Sequence, residues 1–277
     1  MDIVETVSSA RAAAAALPRP LALVPTMGAL HEGHLRLVQA AHSSARSLAV
    51  SIFVNPMQFA PNEDLERYPR DPQRDAAQLQ GAGVDLLFLP APEVMYPPGF
   101  STIVDVGDLG CVYEGAARPT HFRGVATIVS KLLHIVTPDI LVLGQKDAQQ
   151  TAVLRKLVRD LDFPVRVHVE PTVREADGLA RSSRNAYLTH EERAAAPSLH
   201  AALQRMLQEL ESGAQAVHAR ESALPVLHPL GTWEYLDIVD AQTFAPLQFV
   251  RPPAFVIGAA RFGRTRLIDN LWIPANQ

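Results

Sequence analysis

The run Leu21-Ala22-Leu23-Val24-Pro25-Thr26-Met27-Gly28-Ala29-Leu30-His31-Glu32-Gly33-His34 carries most of the information about the fold. Its first half is apolar and ends in Pro-Thr-Met-Gly, the pattern of a buried strand entering a glycine turn. From His34 to Ala41, the residues Leu35, Leu37, Val38 and Ala41 offer an apolar face at helical spacing, which predicts a helix. His31 and His34 then fall at or near a helix N-terminus, at the carboxyl end of a strand. In open α/β sheets that is where phosphates and nucleotides bind. Three chemistries compete for such a pair: packing and hydrogen bonding at the helix start, metal ligation, or donation to a phosphoryl group. Metal ligation has little support, because zincin histidines stand four apart around a glutamate and the chain has no cysteine cluster. Gly28 and Gly33 favour the phosphate site, since a backbone without Cβ lets a nucleotide come close.

Outward from this segment the same texture continues to about residue 170. Predicted strands at Leu21–Val24, Leu48–Val54, Val84–Leu89, Ile140–Leu143 and Val165–Val169 alternate with predicted helices at His34–Ser44, Arg74–Ala82, Gly124–Val136 and Ala148–Leu161. Ala12–Ala16 belongs to a first helix. Strands separated by helices argue a parallel sheet with right-handed crossovers. The nearly continuous apolar character of 48–54 suits a strand buried on both faces. After Arg174-Glu175-Ala176-Asp177-Gly178 the pattern changes: one helix is predicted over His190–Glu211, another near Val217–Leu224, then strands at Tyr235–Val239, Ala254–Ala260 and Thr265–Ile268. The expected architecture is α/β: a Rossmann-like doubly wound parallel sheet over residues 1–172, then a smaller α+β domain over residues 173–277.

Composition sets the outer limits. At 277 residues, 48% hydrophobic and 19% charged, the chain has the make-up of a globular protein with a sizeable core. A formal net charge of -4 offers no broad basic surface for nucleic acid. One cysteine, Cys111, excludes an intrachain disulfide and a cysteine-rich metal site. No run reaches transmembrane length. Met1-Asp2-Ile3-Val4-Glu5 is acidic where a secretory leader is basic. The expectation is a cytoplasmic protein with no nucleic-acid and no membrane partner.

Two further segments carry chemistry. Leu143-Gly144-Gln145-Lys146-Asp147 repeats the arrangement of an apolar run, a glycine, polar groups and a following helix. Lys146 there is either half of a solvated ion pair or a point cation for ATP phosphates. Gly178-Leu179-Ala180-Arg181-Ser182-Ser183-Arg184-Asn185 places two hydroxyls and two guanidinium groups within four residues, which makes either a polar linker or an anion-binding loop.

Joined to Ser51-Ile52-Phe53-Val54-Asn55-Pro56-Met57-Gln58-Phe59, Arg118-Pro119-Thr120-His121-Phe122-Arg123-Gly124-Val125, Ala148-Gln149-Gln150 and the terminal Thr265-Arg266-Leu267-Ile268-Asp269-Asn270, these motifs resemble the pantoate–β-alanine ligase family. The resemblance runs in the family's order over nearly the whole chain, within the nucleotidyl-transferase superfamily. There are two departures: Gln145 stands where the family usually has glutamate, and Arg181 where it has methionine or leucine.

The resemblance implies an ATP-dependent condensation of pantoate with β-alanine through pantoyl adenylate, giving pantothenate, AMP and pyrophosphate, with Mg2+ on the ATP phosphates. It implies that His31, His34, Lys146 and Arg184 carry the catalysis, with His34 donating to the charge that develops at phosphorus. ATP is expected against Met27, Gly28, Ala29, Leu30, Glu32 and Gly33 beside the two histidines, against Gly144, Gln145 and Asp147 beside Lys146, and against Val173, Arg181, Ser182 and Ser183 beside Arg184. Gln58 and Gln150 are expected to hold pantoate, because an amide both donates and accepts. Asn55, Tyr68, Glu114, Arg118 and His121 are secondary candidates; Tyr68 also suits packing, and Glu114 with Arg118 a surface ion pair. Protein ligands for a metal are not identified. A homodimer through the first domain and a mobile lid over Arg174–Asn185 complete the expectation.

Other functions share parts of the pattern. A nucleotidyl transferase acting on a phosphate-bearing acceptor has the same histidine motif, but the neutral amides Gln58 and Gln150 suit a small hydroxy acid better. A non-enzymatic nucleotide-binding module needs fewer charged donors, and a metal hydrolase lacks a ligand set.

Overall fold

The computed structural model describes residues 1–60, 63 and 65–275. Two compact units are present, one of Met1–Gly144 and Gln149–Glu170, the other of Gln145–Ala148 and Pro171–Gln277. The first holds β1 (Asp2–Val4), α1 (Val7–Ala16), β2 (Leu21–Thr26), α2 (Glu32–Ser44), β3 (Ser47–Ile52), α3 (Pro72–Gly81), β4 (Leu86–Phe88), α4 (Pro92–Met95), α5 (Glu114–Ala117), α6 (His121–Val136), β5 (Ile140–Gly144), α7 (Ala148–Asp160) and β6 (Arg166–Glu170).

Its six strands form one sheet in the order β1-β4-β3-β2-β5-β6, and every pairing is parallel. Ala22 and Val24 of β2 join Val38 and Ala41 of α2, Leu48 and Val50 of β3 and Leu79 of α3 in one core cluster. The alternate residues Leu21 and Leu23 are also fully buried. β2 is therefore covered on both faces, as its unbroken apolar run requires. From β2 the chain builds the sheet outward through β3 and β4, then crosses back to add β5 and β6 on the other side. The strand order thus reverses at the β2–β5 pair, the place where doubly wound sheets leave a crevice at their carboxyl ends.

The second unit holds α8 (His190–Ala195), α9 (Ser198–Glu211), α10 (Ala216–Ala223), β7 (Gly231–Asp240), β8 (Ala254–Phe262) and β9 (Thr265–Ile273). Its three strands are antiparallel in the order β7-β8-β9. Leu203, Met206 and Leu210 of α9 and Ala216, Ala219 and Ala223 of α10 bury their apolar stripes against Leu236, Ile238, Ala254 and Val256 of the sheet. A parallel α/β sheet with a smaller α+β unit is the architecture expected from the sequence.

Two local expectations are corrected. The helix expected over 190–211 is two helices, because Pro197 supplies no N–H and its ring crowds the preceding turn; α8 stops at Ala195 and α9 starts at Ser198. β1 adds a strand that the sequence does not announce: three residues at the sheet edge, paired to Leu86–Phe88, are too few to show a period.

Candidate active site

β2 ends at Thr26, and the chain turns at Gly28 with φ +79° and Ala29 with φ +51°. A side chain is strained at the first of these positions, and a Cβ there would stand 2.9 Å from Asp75 Oδ2. Asp75 is the reason for the turn's shape. It comes from α3, is 2% exposed, and its two carboxylate oxygens accept the Ala29 and Leu30 N–H groups at 2.9 Å each. His31 then caps α2: its Nδ1 accepts the Gly33 N–H at 3.1 Å, while the His31 N–H donates to His34 Nδ1 at 3.4 Å. This is a capping box built from two imidazoles in place of a hydroxyl and a glutamate. A Cβ on residue 33 would lie 2.8 Å from the His31 ring and would force that ring to shift. The two rings stand 4.2 Å apart. With both Nδ1 atoms accepting, each neutral ring carries its proton on Nε2. Both Nδ1 atoms are thus committed to the first turn of α2.

A second cluster of the same unit collects the residues expected around the organic acid. Asn55 is fully buried after β3; its amide donates to Gln58 Oε1 at 2.9 Å and to the Gly124 carbonyl at 3.0 Å. Tyr96 Oη donates to Asn55 Oδ1 at 2.8 Å. Burial pushes the Tyr96 phenol up, against the opposing effect of that bond, so it stays a donor. With its oxygen occupied by Asn55, Gln58 presents its amide NH2, which lies 3.9 Å from the sulfur of Met27.

Arg118 forms a two-pronged pair with Glu63 at 2.7 Å on each prong and also donates to the Gln58 carbonyl at 3.1 Å. His121 Nδ1 lies 3.0 Å from that carbonyl, and its Nε2 lies 3.2 Å from Arg118 Nη1. The Nδ1–H therefore donates and Nε2 accepts. Burial, with the adjacent Arg118 charge, pushes His121 down to about 4, and it stays neutral. A cavity of about 350 Å3 opens beside Met27 and Gly28, walled by Ile52, Phe53, Val54 and Leu89.

The remaining expected groups belong mostly to the second unit. Lys146 follows β5 in a short 3-10 turn, Gln145–Asp147, with its ammonium 3.2 Å from Asp147 Oδ1. The Val173 carbonyl accepts the Arg181 N–H at 2.9 Å, closing the base of a hairpin that bridges at Arg174 and Ala180. Ser182 caps the turn Ser183–Tyr187, its Oγ accepting the Arg184 N–H at 3.3 Å; its hydroxyl proton remains a donor. Of the two glutamines that open α7, Gln149 is structural. It is buried, donates to the Leu109 and Val112 carbonyls at 2.9 and 2.8 Å, and accepts the Glu114 N–H at 3.0 Å. Gln150 is half-buried beside it.

The family model described as pantoate-beta-alanine ligase covers residues 2–272. The chain belongs to the pantoate-beta-alanine ligase family. It is 52% identical, over 98% of its length and 99% of the relative's, to a pantothenate synthetase of Acidiphilium cryptum. Among solved structures it is similar to the pantothenate synthetase of Thermus thermophilus, with TM-score 0.94 and 49% identity over 99% and 100% of the two chains. It is also similar to the pantoate-beta-alanine ligase of Francisella tularensis, complexed with an ATP species and β-alanine, with TM-score 0.81 and 32% identity over 98% and 97%. As a member of this family the chain is an ATP-using ligase of pantothenate biosynthesis.

Against that family background, the structure gathers Met27, Asn55, Gln58, Arg118 and His121 into one network of the first unit. Tyr68 is buried and packs edge-on against Phe59 at 6.0 Å, the packing that a tyrosine before a proline also suits. Asp75, Tyr96, Asp269 and Asn270 bond to expected residues or to the backbone beside them and are not among the residues expected from the sequence. Asp75 sits in a helix whose charged residues resemble a solvated face, and only its burial marks it.

Proposed function

We propose that this chain joins pantoate to β-alanine in two steps. The pantoate carboxylate attacks the α-phosphorus of ATP, the bond to the bridging oxygen breaks, and pyrophosphate leaves, giving pantoyl adenylate. The neutral amine of β-alanine then attacks the acyl carbon and loses a proton, and AMP departs with the carboxylate's former oxygen, giving pantothenate. The first step brings an anion to a polyanion, so the site has to supply fixed donors and in-line geometry.

The observation that carries this reading is the imidazole capping box at the head of α2, which leaves the proton of each ring on Nε2. His31 and His34 are proposed to hold the phosphates, His34 giving the bond that strengthens in the transition state. Lys146 and Arg184 balance charge on the phosphate oxygens, Ser182 and Ser183 add hydroxyl donors, and Met27, Gly144, Asp147 and Val173 border the adenosine, together with the backbone of Gly28, Ala29, Leu30, Glu32 and Gly33. The Gln58 amide NH2, fixed in that sense by the Tyr96–Asn55 chain, and Gln150 meet the carboxylate and hydroxyls of pantoate. Arg118 and His121 fix the Gln58 backbone.

Among the described residues no three carboxylate, imidazole or thiolate groups converge to hold a metal ion. Those residues offer no protein cage suited to Mg2+. On this reading Mg2+ arrives on the phosphates of its substrate, where it keeps most of its water, and no step is assigned to it.

The Arg174–Asn185 segment is proposed to shield the mixed anhydride, which water hydrolyses. Added ATP and pantoate should then protect it from protease; unchanged cleavage counts against the shield. A homodimer and a reducing, cytoplasmic setting, which suits the single exposed Cys111, belong to the same reading. Among the described residues no helix is long and apolar enough to cross a membrane.

The decisive assay is ATP–pyrophosphate exchange. The adenylate route gives exchange with pantoate alone and AMP release only when β-alanine is added. Exchange that needs β-alanine, or ADP as the nucleotide product, overturns it.

A further inference from the structure

The neighbours Asp269 and Asn270 lie on β9, the edge strand of the second unit's sheet. Both are buried, at 4% and 2% exposure. A strand with one face in the core normally alternates buried and open positions, so two consecutive buried polar residues call for an explanation. Among the described residues no further strand pairs with the outer side of β9; polar groups from two loops bond to its residues instead.

Asn270 serves the first loop. Its amide nitrogen donates to the carbonyls of Gln145 and Lys146 at 2.9 Å each, and its Oδ1 accepts the Gln145 side-chain N–H at 3.2 Å. Both protons of the amide are therefore spent on the backbone that carries the Lys146 side chain. Asp269 serves the second loop. Its carboxylate takes both prongs of Arg174 at 2.6 and 2.9 Å, and the same guanidinium donates to the Gly178 and Asn270 carbonyls at 3.1 Å each. Arg174 roots the hairpin from which Ser182, Ser183 and Arg184 extend, and Asn185 closes that extension by donating to the Ala180 carbonyl at 3.0 Å. This explains why Gln145–Ala148, which follows β5 and includes the first residue of α7, groups with the second unit.

We infer that Asp269 and Asn270 are positioning residues that fix the Lys146 turn and the Ser182–Arg184 loop on one strand, so that the ammonium and the guanidinium are presented as a single set. The inference rests on the roles proposed above for Lys146 and Arg184. In this role Asp269 and Asn270 act through cations whose placement they set. A misplacement of about 1 Å in such a group is enough to slow a reaction by roughly 10²-fold.

The test is a double-mutant cycle on the full-length enzyme, read by pantoate-dependent ATP–pyrophosphate exchange with KM for ATP and for pantoate and thermal midpoints recorded. Asn270→Asp keeps the shape but turns carboxylate oxygens toward two carbonyls. It should slow exchange by ~30-fold or more, with KM for pantoate within ~2-fold. In the Lys146→Ala background the same change should cost no more than ~3-fold, because the group it positions is gone. Asn270→Ser, which keeps one donor in a smaller side chain, should give an intermediate loss and covers the case in which the aspartate variant does not fold. Arg174→Lys, alone and with Arg184→Ala, runs the same cycle for the second loop, since lysine cannot make the two-pronged pair. A merely structural role lowers the thermal midpoint but multiplies with the loss of Lys146 or Arg184; that result overturns the inference. Normal exchange in folded Asn270→Asp and Asn270→Ser, beside slow Lys146→Ala, also overturns it while leaving the site intact. Normal exchange in Lys146→Ala and Arg184→Ala removes the roles assigned to those residues, and the inference with them.

Discussion

The histidine loop of the first unit and the cationic loops of the second are held by opposite means. The Nδ1 atoms of His31 and His34 are bonded within the segment 31–34, each accepting an N–H of the same turn. Lys146 and the Ser182–Arg184 loop depend on partners 95 to 125 positions away in the chain, through Asp269 and Asn270. The first device is a property of a tetrapeptide and folds with its helix. The second exists only once β9 is in place. The groups proposed to meet the phosphates are thus set by local capping in one unit and by tertiary anchoring in the other.

The comparison breaks most readily at the donors themselves. His34→Ala and Lys146→Ala should each lower kcat by ~10²-fold or more, the range for removing a donor aimed at transition-state charge. A single-turnover measurement with saturating ATP and pantoate checks this. Normal turnover in both variants means that neither loop, however it is held, addresses the phosphates.

The first loop also has a remote partner, Asp75, which marks the limit of local capping. Asp75→Ala leaves the Ala29 and Leu30 N–H groups buried without an acceptor, at about 1–3 kcal/mol each. The thermal midpoint should fall by several degrees, and exchange activity by ~10-fold through the displaced histidines. Should Asp75→Ala fall in midpoint yet keep full activity, the capping box alone holds the imidazoles, and the contrast with the second unit becomes sharper.

What is legible in the sequence follows the same division. The parallel sheet, the glycine turn and the placement of both histidines at a helix start are readable, because the apolar run of β2 and the spacing of His31, Gly33 and His34 are local signals. The break at Pro197 carries a local signal too, but it is masked within a long amphipathic pattern. Asp75 and the polar pair on β9 are not legible as site residues. Nothing in one sequence says that a carboxylate of α3 lies under residues 29 and 30, or that an asparagine of β9 faces the turn after β5. Composition also misleads at Gln149, which reads as a polar helix start and proves to be buried between two carbonyls and an N–H.

Acid should separate the two arrangements. His121, beside the Gln58 backbone, has a folded value of about 4 against an ordinary value near 6.5, so below pH 6.5 the unfolded chain gains a proton that the folded chain refuses. The resulting loss grows as pH falls from 6.5 to 4 and reaches roughly 3 kcal/mol. In the second unit, burial raises Asp269, but His200 and Arg174 outweigh it and hold the carboxyl below its usual range. That pair's contribution is complete above the ordinary aspartate value and disappears only as pH falls below it. Urea unfolding between pH 7 and 4 should therefore show a slope that His121→Gln flattens. An unchanged slope would mean that the His121 environment is not what weakens the fold in acid.

The smallest effect concerns Gln145. Its amide N–H is the donor that meets Asn270 Oδ1, while both Asn270 protons are committed to backbone carbonyls. A glutamate has no proton to give at neutral pH, and rotating the asparagine amide to supply one would surrender two bonds for one. Gln145→Glu should therefore lose a single neutral hydrogen bond, about 0.5–1 kcal/mol, and raise KM for ATP by ~2–5-fold with kcat nearly unchanged. If Gln145→Glu is instead as slow as Asn270→Asp, the side-chain arm rather than the two carbonyl arms holds the Lys146 turn. The second unit's anchor would then hang on the side chain of Gln145.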